Sequence, residues 1–315
     1  MEFGIYVGSA TGSDEGLLQG KPDNPSAINS ALDTLQGDAA TLLARAYLHY
    51  KGNSKSANHT PFRPEQYAIH GRKLDLVICY QTDTGDMEDW QRFIEKVVDE
   101  YGAHLGALQI TEETNVVGHG MDGDYPSSMR ALTEGVIAAK TALQAAGWGK
   151  VAVGFNVTPT FGPDTYWQKL SELSTPEFLK ALDYVGFDFF PDVFRPIPTE
   201  QIAPAVQSII NDLRERDLAG AGIGGHVPIR ITENGWPTGD QRPLEQQAVT
   251  LERIIMSVYE VKDTYNITHY ELFQLRDTDS DKEGIFYHFG IMDDEYLPKP
   301  AFTQYARLVA DLRIQ

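Results

Sequence analysis

Cysteine is almost absent from this sequence, and its absence excludes two kinds of structure. The single cysteine, Cys79, lies in the apolar stretch LDLVICY, where a buried and unreactive thiol is the expected state. The sequence therefore offers neither a disulfide framework nor a thiolate metal site. It also contains no apolar run of about 18 residues, the length that a membrane-spanning helix needs, so it predicts a soluble protein.

Basic residues are also few, with 26 Lys and Arg against 45 Asp and Glu, and the formal net charge is -19. A field of this sign repels nucleic acid and anionic membranes at long range. The sequence therefore predicts neither of them as a partner and favours a neutral ligand. No signal peptide precedes the first apolar run, FGIYVG, which predicts either a cytoplasmic protein or one whose export segment has been removed.

Short apolar or alternating runs recur along the chain, and segments with helical periodicity separate them. The eight strand candidates are residues 3–8, 41–50, 74–80, 105–113, 151–157, 184–190, 227–233 and 269–275. The helix candidates are residues 26–36, 62–72, 87–101, 128–146, 163–182, 200–217, 242–264 and 300–313, and Pro176 breaks the fifth of them. Strands and helices that alternate eight times are typical of a (β/α)8 barrel.

The positions of the polar residues favour this barrel over a doubly wound α/β sheet, which would give a similar alternation. Several polar side chains stand at or near the C-terminal ends of the predicted strands: Glu112, Glu113, Asn156, Asp188, Glu233 and Gln274. Barrel enzymes build their active sites at that face. Because the 315 residues contain no linker and no internal repeat, we expect one (β/α)8 barrel domain spanning residues 1–315.

The fourth and seventh predicted strands both end in glutamate, at Glu112-Glu113 and at Glu233. Retaining glycoside hydrolysis needs two carboxyl groups about 5 to 5.5 Å apart, one as the nucleophile and the other as acid and then base. At an effective dielectric constant of about 20, two charges at that distance repel by roughly 3 kcal/mol, which is on the order of two pKa units. One of the two carboxyls would then keep its proton near neutral pH, as the acid must.

The stretch ITENGWPTG, residues 231–239, resembles the strand-seven motif of the glycoside hydrolases of clan A, in particular the β-glucosidases and β-1,3-glucanases. The resemblance implies that Glu233 is the nucleophile. LQITEETN, residues 108–115, is similar in frame to the strand-four motif, which implies that Glu113 is the acid/base. Glu112 stands where the family has an asparagine that contacts the sugar 2-hydroxyl, and Glu112 stays open as the alternative acid.

Further stretches resemble the family less closely. Arg45 in ARAY matches an arginine near the nucleophile, and Phe273 in HYELFQLRD stands where a tryptophan usually lies under the sugar. In YVGFDFFPD, Phe189 and Phe190 replace a tyrosine that bonds the nucleophile, so that hydroxyl is expected to be absent. The expected substrate-binding residues are Arg45, Glu112, Asn156, Asp188, Trp236, Phe273 and Gln274, and Trp236 would flank a sugar subsite. The tail FGIMDDEYLPKPAFTQYARLV, residues 289–309, resembles the segment that closes the family's barrel.

His119, Asp122 and Asp124 in GHGMDGDYP could suggest a metal site, but the other ligands of a calcium loop are missing, so a polar loop is favoured. We expect no metal and no cofactor. The sequence thus predicts a retaining glycoside hydrolase that acts on a neutral β-linked glycan or glycoside. Two alternatives stay open: a transglycosylase on the same scaffold and a carbohydrate-binding barrel that has lost activity. A metal-dependent barrel enzyme would need convergent His and Asp ligands at the strand ends, and the eight histidines show no such pattern.

Overall fold

The protein folds into a closed parallel (β/α)8 barrel in a computed structural model that describes residues 1–13, 16–54, 57–118, 120–161 and 165–313. Each barrel strand pairs in parallel with the next, and the eighth pairs with the first. The strands are β1 Glu2–Tyr6, β2 Leu43–Tyr50, β3 Lys73–Tyr80, β4 Leu105–Ile110, β5 Ala152–Val157, β6 Tyr184–Asp188, β7 Ile229–Asn234 and β8 Ile267–Leu272. The predicted fold and its eight strands are confirmed.

The described part of the chain contains eight α-helices around this barrel. They are α1 Pro25–Gln36, α2 Met87–Tyr101, α3 Ser128–Ala145, α4 Tyr166–Leu173, α5 Pro176–Ala181, α6 Ile202–Asp212, α7 Leu244–Tyr265 and α8 Pro300–Leu312. Pro176 opens α5 and so divides the predicted helix 163–182 in two, because a proline fits the first turn of a helix but not its interior.

The predicted helix 62–72 is wrong. Only one 3-10 turn, Pro64–Tyr67, forms there, and His70 and Gly71 then take positive φ angles of 55° and 87°, which a right-handed helix does not accept. The segment before this turn folds back instead as the strand Ala57–Thr60, which pairs antiparallel with the upper half of β2. β1 pairs with β2 only from Leu43 to Arg45, so this strand takes over where β1 ends.

Helix α2 has a capped N-terminus and buries the apolar stripe that its periodicity predicted. The Asp86 carboxylate caps it by accepting a 2.9 Å hydrogen bond from the Asp89 amide. Its buried stripe consists of Met87, Trp90, Phe93, Ile94, Val97, Val98 and Tyr101. The Trp90 indole also donates a 3.0 Å hydrogen bond to the Ala131 carbonyl of α3, which joins two neighbouring helices. The stripe packs these helices against the barrel wall.

The barrel interior is polar, and each of seven strands contributes at least one buried polar side chain to it. These side chains are Arg45, Asp75, Gln109, Asn156, Asp188, Glu233 and Glu271, from β2 to β8 in order. The alternate side chains face outward and form the apolar layer under the helices. Because a buried polar group costs free energy unless it is hydrogen-bonded, this interior requires a connected network of donors and acceptors.

Among the residues that the structure describes, no helix is both long and apolar enough to span a bilayer.

Candidate active site

Glu233 lies at the C-terminal end of β7, where an irregularity in the sheet turns two neighbouring side chains inward. The pairing register of β7 with β6 shifts between Ile231 and Glu233. A shift of this kind directs side chains that would alternate between two faces toward the same side. The Thr232 hydroxyl consequently donates a 2.5 Å hydrogen bond to the Asp188 carboxylate, which also lies beside Glu233. Glu233 is only 8% exposed, so its charge depends on the protein groups around it.

Tyr47, which the sequence did not indicate, supplies a hydroxyl that bonds Glu233. Such a hydroxyl was expected to be absent because Phe189 and Phe190 occupy the family's tyrosine position on the sixth strand. The Tyr47 hydroxyl of β2 donates a short hydrogen bond to Glu233 Oε1 and accepts a 2.7 Å hydrogen bond from Arg45 Nε. Burial raises the pKa of Tyr47 well above its ordinary value, so the phenol keeps the proton that it donates. Tyr47 follows Arg45 by two residues on one strand, so the two side chains share a face, and that spacing was the available signal.

Arg45 lies at the centre of the network and joins four strands. It is fully buried, and it donates to Asp75 of β3 at 2.7 Å and to Gln109 of β4 at 2.9 Å. Its Nε lies 3.8 Å from Glu233 Oε1, and its NH2 group lies 3.7 Å from Glu112 Oε2. The sequence analysis expected Arg45 near Glu233, and the structure brings the two together.

The chain leaves β4 earlier than predicted, because two residues of the turn adopt left-handed backbone angles. Thr111 has φ of 67° and Glu113 has φ of 45°. Positive φ is rare for a residue with a side chain, above all for a β-branched one, and such strain concentrates at functional sites. The Glu112 amide donates to the Asp122 carboxylate at 2.8 Å, and the Glu113 amide donates to Asn156 Oδ1 at 2.8 Å. These bonds hold both glutamates at the barrel mouth.

The two glutamates of this turn differ in their surroundings. Glu112 is 7% exposed, and its Oε2 accepts a 2.7 Å hydrogen bond from Gln109 in the barrel floor. Glu113 is partly exposed and therefore faces the space above the floor. Carboxylate oxygens of Glu112, Asp188 and Glu233 all lie within 4.8 Å of one another. The Asn156 amide group donates to Asp188, which ties β5 and β6 to the same cluster.

The carboxyl groups of this cluster do not ionise alike. Burial raises the pKa of Glu233, but the charge of Arg45 and the hydrogen bond from Tyr47 oppose the increase. Burial and the charges of Asp188 and Glu233 raise the pKa values of Glu112 and Glu113 well above the ordinary range. Burial and the charge of Glu233 raise the pKa of Asp188 to about 8. Among these carboxyls, the surroundings of Glu233 favour its ionised form most, whereas burial and mutual repulsion favour the protonated forms of its neighbours.

Two groups of three carboxylates come close enough to hold a cation, within the part of the chain that the structure describes. One is Glu112, Asp188 and Glu233, and the other is Asp279, Asp281 and Asp294 near the surface. In the first group Tyr47, Gln109, Asn156 and Thr232 already aim donors at the carboxylate oxygens. In the second, Lys21 lies 2.8 Å from Asp294.

In the segment that could suggest a metal site, the two aspartates, Asp122 and Asp124, accept hydrogen bonds from main-chain amides. The Asp122 carboxylate is buried and also accepts a 2.6 Å hydrogen bond from the Tyr80 amide at the end of β3. The Asp124 carboxylate accepts from the amides of Gly118 and Gly120. His119 lies outside the described residues.

Three other expected binding residues are occupied by protein contacts. The Trp236 ring is 3% exposed, Arg242 covers one of its faces at 4.4 Å, and that face is therefore closed to a sugar. Phe273 is 7% exposed and stacks on Tyr6 with ring centroids 5.3 Å apart. The Gln274 amide group is fully buried and donates at 3.2 Å to the hydroxyls of two threonines, Thr11 and Thr278.

A cleft of about 410 Å³ lies on the catalytic side of the barrel, between the segments that follow β1 and β2. Phe62, which is 73% exposed, forms part of its wall. Burial lowers the pKa of His59 in the same wall, so that imidazole is neutral at pH 7. The charged side chains of the wall are each paired with protein groups: Lys21 with Asp294 and Glu295, Asp23 with Arg276, and Arg63 with Glu65. A larger groove of about 680 Å³ lies on the outer surface between α2 and α3, away from the carboxyl cluster.

The sequence matches no protein-family model and no curated protein. The fold, however, is similar to that of solved glycosidases. The glycoside hydrolase family 17 β-1,3-glucanosyltransferase from Rhizomucor miehei has a TM-score of 0.60 at 15% identity, over 96% of this chain and 97% of that chain. A β-glucosidase from Exiguobacterium marinum has a TM-score of 0.58 at 14% identity, over 92% and 87%.

The same barrel also occurs as part of longer chains. The GH2 β-galacturonidase from Eisenbergiella tayi has a TM-score of 0.62 at 11% identity, and the match covers 96% of this chain but 54% of that one. At such identities the likeness establishes a shared fold. The expected resemblance to the barrel glycosidases is confirmed at that level.

Proposed function

We propose that residues 1–315 form one catalytic domain of a retaining glycoside hydrolase that acts on a neutral β-linked glycan or glycoside, without a metal or another cofactor. The observation that supports this most is the pairing of unlike carboxyls across the barrel mouth. Arg45 and the Tyr47 hydroxyl contact Glu233 on β7, while burial and neighbouring charges raise the pKa values of the two glutamates that follow β4. The oxygens of Glu112 and Glu233 lie within 4.8 Å, and retaining enzymes have their carboxyls about 5 to 5.5 Å apart.

In the proposed reaction, the Glu233 carboxylate attacks the anomeric carbon while Glu113 gives its proton to the departing glycosidic oxygen. A covalent glycosyl-enzyme forms, and the aglycone leaves as an alcohol. Glu113, now ionised, takes a proton from water as the water oxygen attacks the same carbon. The bond to Glu233 breaks, and both carboxyls return to their starting states with the anomeric configuration retained.

Glu113 is the better candidate for the acid, although Glu112 is the one whose oxygens are shown to approach Glu233. The acid must reach the leaving group and then water, and Glu113 is the more exposed of the two. Glu112 accepts a hydrogen bond from Gln109 and lies beside Arg45. These contacts favour a substrate-binding role for Glu112 at the base of the site rather than proton transfer to the leaving group. In our proposal Glu112 and Asp188, which hold protons, donate hydrogen bonds to sugar hydroxyls, so Glu112 performs the task of the amide it replaces.

A neutral substrate fits both the charge of the chain and the cleft beside the mouth. The net charge of -19 repels an anionic glycan, and the charged groups of the cleft wall are already paired. Phe62 offers an exposed aromatic face of the kind that packs on the apolar face of a sugar ring. We therefore expect the cleft to hold further sugar units of an oligosaccharide.

The test is the activity of single alanine variants against a panel of aryl β-glycosides, with and without azide. Without the Glu233 carboxylate, azide can enter from the opened face, so Glu233→Ala should give an α-glycosyl azide. Without the Glu113 acid, azide can replace water in the second step, so Glu113→Ala should give a β-glycosyl azide. Glu112→Ala is the matched control, and rescue there in place of Glu113→Ala would make Glu112 the acid.

The proposal is wrong if the wild type turns over no glycoside of the panel and binds sugars equally well after Glu233→Ala. That outcome would instead support a carbohydrate-binding barrel. Transglycosylation is the second candidate, because one solved structure with this fold is named a β-1,3-glucanosyltransferase. It predicts products longer than the substrate when laminari-oligosaccharides are supplied at millimolar concentration, whereas hydrolysis gives only shorter ones.

A further inference from the structure

Beneath the candidate active site, the buried carboxyl groups of Glu271 and Asp75 lie within hydrogen-bond reach of each other, and three of their four oxygens have no described donor. Glu271 on β8 is fully buried, and neither of its Oε atoms has a hydrogen-bond partner among the described residues. Asp75 on β3 is also fully buried, and its Oδ1 lacks a partner within the same described set. The fourth oxygen, Asp75 Oδ2, accepts the 2.7 Å hydrogen bond from Arg45.

The main chain of β1 lies close against one side of the Glu271 carboxyl group. A Cβ added to Gly4 of β1 would lie 2.8 Å from Glu271 Oε2, so the glycine backbone closes that side. The titratable and charged side chains that face Glu271 come from five elements around it: Arg45 of β2, Asp75 of β3, Tyr184 of β6, Arg230 of β7 and Tyr305 of α8. The Tyr305 hydroxyl is used by the Gly4 carbonyl at 2.6 Å, and Arg230 lies over the Tyr184 ring at 4.2 Å.

We propose that Glu271 carries a proton and donates it to Asp75 Oδ1, so that the two carboxyls share one proton and one negative charge. That single charge balances Arg45, which it holds in place under Glu233. Glu271 is thereby a positioning residue, because it acts on the nucleophile only through Asp75 and Arg45. The proton supplies the donor that both unpartnered carboxyls lack.

The alternative, two ionised carboxylates in contact, would bury two negative charges beside one arginine. An uncompensated buried charge costs several kcal/mol, and the usual response of a protein is to neutralise the group by protonation. Burial, and then the charge of Asp75, accordingly raise the pKa of Glu271 well above its ordinary value. The pair thus stays singly charged while Arg45 is in place.

The first test uses no substrate and measures the unfolding equilibrium at several pH values. A carboxyl protonated in the folded state but ionised in the unfolded chain makes the unfolding constant rise up to tenfold per pH unit, from about pH 4.3 to its folded pKa. Glu271→Gln keeps the donor to Asp75 but cannot ionise, so it should lose this one-proton slope. Glu252→Gln, at an exposed glutamate on α7, is the matched control and should keep it. An unchanged slope in Glu271→Gln would overturn the proposal.

The second test uses the kinetics and rests on the proposed function. Glu271→Gln should keep kcat/KM near that of the wild type, because its amide replaces the shared proton. Asp75→Asn removes the negative charge that balances Arg45, so Arg45 should stabilise the Glu233 anion more and move the acidic limb of the pH profile to lower pH. An acidic limb that stays in place in Asp75→Asn would refute the coupling to the nucleophile. Absence of turnover in the wild type would refute only the proposed function, because the unfolding test stands without it.

Discussion

The hydrogen bond from Tyr47 to Glu233 gives the sharpest prediction about the proposed nucleophile. Tyr47→Phe removes a donor to a buried carboxylate and leaves the aromatic ring in place. A hydrogen bond to a charged group contributes about 1.5 to 3 kcal/mol, which corresponds to roughly one to two pKa units at 1.36 kcal/mol per unit. Arg45 Nε, freed from the phenol and 3.8 Å from Glu233, can move closer and offset part of this loss. We therefore expect the pKa of Glu233 to rise by about one unit.

The sign of the kinetic effect follows from the proposed role of Glu233. The nucleophile must be ionised, so kcat/KM falls as pH drops through its pKa, and a raised pKa moves that acidic limb to higher pH. The assay is kcat/KM against pH for the aryl β-glycoside that the wild type turns over best. Tyr270→Phe is the matched control, because Tyr270 is equally buried but donates to the Asn234 amide oxygen. An acidic limb that is unmoved, or that moves to lower pH, would refute the assigned contact.

Three further changes test the fold and the cleft. Trp90→Ala should lower the free energy of unfolding, measured by urea titration, by about 3 to 5 kcal/mol. Trp148→Ala is the control, because that side chain is 41% exposed, and it should lower the free energy of unfolding by under about 1 kcal/mol. Equal losses would contradict the packing of α2. Gly235→Ala would place a Cβ 2.0 Å from the carbonyl oxygen of Phe273, which follows β8, and should lower kcat/KM about 100-fold. Gly220→Ala is the control, because an added Cβ there meets no described atom within 4 Å, and it should leave kcat/KM unchanged. Phe62→Ala should lower kcat/KM on laminari-oligosaccharides about tenfold, equivalent to 1.4 kcal/mol, and leave aryl monoglycosides unaffected; a uniform loss on both would show that the cleft binds no further sugar.

The features of this structure that the sequence predicted correctly are those that depend on local sequence patterns. The alternation of apolar runs and helical periods predicted the eight strands and the barrel. The apolar stripe of α2 predicted both ends of that helix correctly. The carboxylates at the ends of β4 and β7 could be proposed as neighbours because parallel barrel strands end at one rim. Each of these inferences needs only residues close in sequence and one general rule of the fold.

The remainder depends on contacts between strands far apart in the chain. Tyr47 and Glu233 are 186 residues apart, so nothing near either residue indicates their hydrogen bond. The Trp236 indole donates to Asp192, 44 residues away, and the contacts of Gln274 depend on Thr11, 263 residues away. The failed helix at 62–72 has a different cause. Within this segment His70 and Gly71 take positive φ angles, which a right-handed helix does not accept, so only the turn Pro64–Tyr67 forms.

That back-folded strand, Ala57–Thr60, has a consequence for how such a protein can diverge. It is attached to β2 through main-chain pairing along Tyr47–Tyr50, and main-chain pairing of this kind accepts many different side chains. The wall of the cleft that continues from it can therefore change its sequence freely between descendants, while the carboxylates stay fixed on strands elsewhere. Under the proposed function, the glycan that such a barrel recognises could in this way change while the reaction stays the same.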